Sequence, residues 1–332
     1  MDSKKDNSPV ISSTTFENTR LTHFPVSFFS MIMGLAGLSI AWEKSQTMMS
    51  VNSPLPPLLA GFALLIFILL SAIYVLKIIR QPQAVIAELR HPIKLNFFAT
   101  IPISLILLSI TTLPFLAPLS KSLWVSGSAL QLVALLYILN SWIHHEHFKI
   151  EHLNPAWFIP AVGNMLVPLS GVAHGHPEIS WFFFSVGMLF WLVLLTVVIN
   201  RIIFHQPLPA KLLPTLFILI APPSVGFVAY IKLSASFDSF AHALYYIALF
   251  FTILLFTQIN RFARLPFFLS SWAYSFPLSA ITVASWVMFE NTGLFAVKLM
   301  AQGLLIVLSL LVAALLIKTV QSIRAGKICV SD

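Results

Sequence analysis

Ten apolar runs of about twenty residues, none of which holds Asp, Glu, Lys or Arg, constrain this chain more than any other feature. They cover roughly 25–42, 56–76, 95–118, 122–143, 155–173, 179–200, 212–231, 239–260, 267–289 and 299–317. Each has the length an α-helix needs to cross a hydrocarbon core about 30 Å thick. The runs are continuous and not short and alternating, which argues for helices against barrel strands. With 58% hydrophobic and 9% charged residues in 332, the expectation is an all-α integral membrane protein of ten transmembrane helices.

The flanks set the domain plan. Residues 1–24 are polar and lack an apolar stretch before a cleavage site, so they are expected as a disordered cytoplasmic tail and not a signal peptide. Residues 25–318 form the membrane domain and 319–332 a second cytoplasmic tail. ISSTTF (11–16) in the first tail offers hydroxyls for regulation, although a solvated tail is the plainer reading. The one cysteine, Cys329, has no partner in the chain, which excludes an intrachain disulfide and a cysteine metal or redox site.

Charge fixes the orientation. Placing both termini in the cytoplasm puts 15 Lys and Arg inside against 4 outside, the asymmetry that membrane insertion favours. Acidic residues divide 7 and 4, so the whole +8 faces the cytoplasm and reflects topology, not nucleic-acid binding.

Paired in order, the runs make five similar helical hairpins. The odd members carry the prolines and small polar residues, in FATIPIS (98–104), WFIPAVGN (157–164), LIAPPSVG (219–226) and YSFPLSA (274–280), while Leu, Ile, Val and Phe dominate the even ones. A proline inside a helix costs about 3 kcal/mol. Such residues collect where helices touch each other or water, so an inner ring of five kinked helices inside an outer ring of five plain ones is expected. A solid bundle with kinks that serve packing alone is the alternative.

AELRHPIKLNFFATIPIS (87–104), WFIPAVGNML (157–166), LIAPPSVGFVAY (219–230) and SWAYSFPLSA (271–280), taken with the hairpins, resemble the tellurite-resistance/dicarboxylate transporter family. The slow-type anion channels of plant guard cells are its relatives, and the likeness runs from Phe24 to about Lys318. The resemblance implies a bacterial inner-membrane protein, a homotrimer with quasi-fivefold symmetry in each protomer, and a central anion pore plugged by a ninth-helix phenylalanine. By position that ring is Phe276, and the kinks carry over to Pro102, Pro160, Pro222 and Pro277. Where some bacterial relatives have proline in the first helix, this chain has Ile32, so the kink there is expected either to be weaker or to be supplied by Gly34.

Proline disfavours helical dihedrals in the residue before it, so Phe276 is expected on distorted backbone, able to close a five-helix bore by sterics and dewetting. No carboxylate lies at membrane depth to couple protons to transport, so passive conduction of small monovalent anions is the simpler reading. Selection then rests on pore width, helix-end dipoles and polar groups such as Ser104, Asn164, Ser224 and Ser279. The alternative is a coupled carrier or exporter of dicarboxylate, tellurite or organic cations. HHEHFKIEH (144–152) has metal-ligand residue types, but the remaining His174 and His176 fall on the opposite side and HxxHH spacings are missing. An incidental loop is therefore expected, with no metal, no cofactor and no enzyme activity. The partners expected are small anions and membrane lipid.

Overall fold

Backbone polar groups at membrane depth have no water to turn to, so each segment must satisfy its own or be shielded by protein. A computed structural model describes residues 20–144 and 148–329, and those residues form helices and turns with no strand. ISSTTF, most of the expected first tail, residues 145–147 of the histidine cluster and the last three residues lie outside the described residues. The α-helices are α1 (Ser30–Met49), α2 (Leu55–Arg80), α3 (Pro82–Arg90), α4 (Thr100–Thr112), α5 (Ala117–His144), α6 (Phe158–Val162), α7 (Pro168–Gly171), α8 (Pro177–Phe204), α9 (Ala221–Ser234), α10 (Ser239–Phe256), α11 (Ile259–Ala263), α12 (Ser275–Thr292) and α13 (Phe295–Arg324).

Nine helical stretches among the described residues are long and apolar enough to span a membrane. The expected fifth span is not one continuous helix. It is a chain of short turns, Pro155–Trp157, α6, Gly163–Leu166 and α7, and every residue from Phe158 to Pro168 is buried. Side chains take up the carbonyls that this broken backbone frees. Gln131 Nε2 and Asn164 Nδ2 both donate to Pro160 O, at 2.7 and 2.9 Å, and Trp124 Nε1 donates to Val167 O at 3.0 Å.

Each odd segment packs against the even one that follows it: α1 on α2, α4 on α5, the broken segment on α8, α9 on α10 and α12 on α13. The odd segments also touch one another in order, and α12 returns to α1, closing the circuit. Burial sorts the two sets. Between 72% and 89% of the four continuous odd stretches is buried, against 22% to 39% of the five even ones, which present Leu65, Leu136, Leu192, Ile253 and Leu310 to the outside.

The prolines stand at a change of helix type inside the odd segments. A 3₁₀ stretch precedes α1 (Val26–Phe29), α4 (Lys94–Ala99), α6 (Pro155–Trp157), α9 (Ala210–Ile220) and α12 (Leu269–Tyr274). The third residue of each α-helix is then Ile32, Pro102, Pro160, Pro223 or Pro277. In the first turn of an α-helix a missing N–H removes no α-helical bond, so the interior penalty does not apply. Pro222 falls one place earlier than the others, and Pro223 holds the equivalent position. At three of these junctions the first α-helical residue caps the turn below it. Ser30, Thr100 and Ser275 donate to Ser27 O, Phe97 O and Trp272 O, each at 2.6 Å. Gly34 lies inside the continuous α1 and permits close approach, because a Cβ there would lie 2.3 Å from Ser275 Oγ.

The described helices and contacts reach into both expected tails. Residues 319–324 continue α13, and Thr319 accepts a 3.0 Å bond from Trp272 Nε1. Phe24 is buried, and its carbonyl accepts from Lys77 Nζ at 2.8 Å. Lys77 is wholly buried and paired with Glu88 of α3 at 2.9 Å, and Tyr74 OH donates to the same carboxylate oxygen at 2.9 Å. Removing one partner of a buried pair strands the other charge. Glu88→Ala is expected to cost about 3 kcal/mol, read as a lower melting temperature in detergent, and Lys77→Met with Glu88→Leu to recover most of that loss.

Candidate functional site

Two cavities lie inside the circuit of odd segments. The first, of about 50 Å³, is near the end where Arg20 approaches Gly326, and Met33, Phe97, Phe158, Ile218 and Trp272 are among its walls. The second, of about 40 Å³, lies toward the far end, with Gly37, Leu107, Leu169, Val228 and Ser279 among its walls. All five odd segments contribute to each cavity and no even helix contributes to either. Each is large enough for water.

Phe276 and Leu166 are the two residues that line both cavities. Phe276 is the second residue of α12, one place past the change from 3₁₀ to α geometry, so it stands within the helix and not on the non-helical backbone expected for it. Its ring lies beside Gly37, where an added Cβ would come 3.7 Å from Phe276 Cδ2 and 2.3 Å from Ser279 Oγ. Leu166 ends the 3₁₀ turn in the broken fifth segment and is buried. Its side chain carries no feature that separates it from any other apolar position in the sequence.

The other expected residues divide. Ser224 and Ser279 line the far cavity, their hydroxyls donating to Ile220 O and Phe276 O at 2.7 Å. Pro277 lines the near cavity. Ser104 and Asn164 are fully buried and line neither: Ser104 Oγ donates to Thr100 O, and Asn164 Nδ2 to the fifth segment's own carbonyls. Pro102, Pro160 and Pro222 sit behind the cavity walls in the helix starts described above. No ionisable side chain lines either cavity.

Of the described histidine-cluster residues, His144 Nδ1 lies 3.0 Å from Asn140 O, and His152 Nδ1 accepts the Lys149 N–H. On the far side, His174 follows α7, with Nε2 3.0 Å from Ser120 Oγ, and Ser120 Oγ in turn donates to Ser109 O at 2.7 Å. Partial burial holds the His174 imidazole below its ordinary pKa, and the neighbouring Lys121 and His176 push the same way.

A family profile described as voltage-dependent anion channel matches residues 23–320. The chain belongs to that family. Among curated relatives of this anion channel family, the chain is 32% identical to the S-type anion channel SLAH3 of Arabidopsis thaliana over 89% of its own length. It is 31% identical to SLAH2 of the same plant over 80%, and 23% identical to a tellurite resistance protein TehA homolog of Haemophilus influenzae over 94%. These alignments cover 48%, 52% and 95% of the respective relatives, so the chain spans about half the length of the plant channels it matches. These relatives are channels and a resistance protein, not enzymes, and with the apolar helices they make this a multi-pass membrane protein.

Gly37→Val is expected to force α1 away from α12 at a cost of about 2 kcal/mol, whereas Gly61→Val, which meets nothing within 4 Å, leaves thermal stability unchanged. Because the folded pKa of His174 is depressed, the stability it contributes is present above its unfolded pKa and lost as pH falls through the folded value. Melting temperatures at neutral and acid pH are expected to differ more in wild type than in His174→Gln.

Proposed function

We propose that the chain is a passive channel for small monovalent anions, with Phe276 as the gate of a pore that runs through the two cavities. The observation that carries this reading is the septum: two cavities on one path, walled by the same five segments, meeting at Phe276 and Leu166. An apolar closure of this kind stops ions by sterics and dewetting, and turning one aromatic ring between staggered rotamers opens it. Walls free of ionisable groups favour downhill conduction over proton coupling. In this reading the five hairpins are quasi-fivefold equivalents around the pore, which the recurrence of proline or Ile32 at one helix position supports. The charge asymmetry supports cytoplasmic termini, and in this reading the protein sits in the bacterial plasma membrane as a homotrimer.

Purified protein in planar bilayers tests it. Phe276→Ala is expected to raise anion current about tenfold or more over wild type, with a reversal potential that follows the anion gradient. Flux that stays tied to a second ion, as in a coupled carrier of dicarboxylate, tellurite or organic cations, or a current indifferent to residue 276, defeats the proposal.

A further inference from the structure

Charged residues ring the far end of the path. Ile40 of α1, Val228 of α9 and Val283 of α12 line the far cavity. Helical periodicity puts a charged residue one or two turns beyond each on the same face: Glu43 and Lys44, Lys232, and Glu290. Within this ring Lys44 is taken by Glu290, at 2.6 Å. Lys232 differs. No carboxylate lies within ion-pairing distance of it among the described residues, and its ammonium donates to Leu169 O, at 3.0 Å, on a residue that itself lines the cavity. The side chain is exposed. Glu43 and Lys44 are near enough to act on it electrostatically.

We infer that Lys232 is an anion-binding station at the far mouth, which recruits small monovalent inorganic anions from the outer solution, with Glu43 opposing it. An ammonium has three N–H donors, and the bond to Leu169 uses one. The other two can hold an anion at the cavity entrance. With Lys44 and Glu290 paired, Lys232 and Glu43 are the two charges left to shape the local field, and removing either one tips it toward the other. The opposite, cytoplasmic side carries the +8 excess and needs no such device. The inference rests on the pore reading above for its meaning in transport, but binding itself does not depend on conduction.

Two measurements separate these. In crystals of the full chain grown in bromide, anomalous density is expected beside Lys232 Nζ, absent in Lys232→Gln and retained in Lys232→Arg. In a Phe276→Ala background, Lys232→Gln is expected to lower anion current entering from the far side about threefold at low salt and to leave it unchanged at high salt, where screening removes the attraction. Glu43→Gln is expected to raise the same current. Bromide at Nζ with no current through Phe276→Ala upholds the site and removes the pore reading. No bromide there, or an equal loss of current in both directions at every salt concentration, overturns the site.

Discussion

The backbone carbonyl in a solvent that cannot hydrogen-bond is the constraint on which this structure depends. A straight apolar helix meets it unaided, and the five even helices do so while facing outward. The odd segments do not. They change from 3₁₀ to α geometry along their length, and one is broken into four pieces, so at membrane depth they need protein around them. The inner and outer sets follow this difference in self-sufficiency, alongside the higher hydropathy of most even helices.

The same requirement explains the recurring junction. A 3₁₀ stretch ends, an α-helix begins, and the third α-helical residue is proline in four segments and Ile32 in the first. Proline there starts a helix and does not interrupt one. Ser30, Thr100 and Ser275 close the turn beneath with equal hydrogen bonds, and in the fifth segment Gln131, Asn164 and Trp124 do the equivalent work by side chain. Polar residues that read as channel lining are therefore of two kinds. Ser104 and Asn164 serve the backbone behind the wall, whereas Ser224 and Ser279 serve it while also facing the far cavity.

No ionisable side chain lines either cavity, and the charged residues lie beyond them. Lys77 and Glu88 show what a buried charge requires: a partner, a carbonyl and a tyrosine hydroxyl together, which fasten α3 and Phe24 to α2. Lys232 has only the Leu169 carbonyl, and it remains exposed to solvent. One arrangement is a fastening; the other leaves a cation open to solvent beyond the far cavity.

By itself the sequence determined the solvent, the helical class, the hairpin pairing and the membership of odd segments in an inner set, because apolar length and the placement of proline and small residues are local properties of the chain. Phe276 came from the family resemblance, and Pro277 after it added only a local reason to look there. The sequence could not separate Pro222 from Pro223, or wall from backing among Ser104, Asn164, Ser224 and Ser279, because periodicity says which residues share a face and not which face meets a cavity. Nor could it find Leu166, or the burial of Lys77 with Glu88. Those were decided by tertiary structure, since each depends on the meeting of segments far apart in the chain, and the free energy of a septum or a buried pair exists only once both sides are in place.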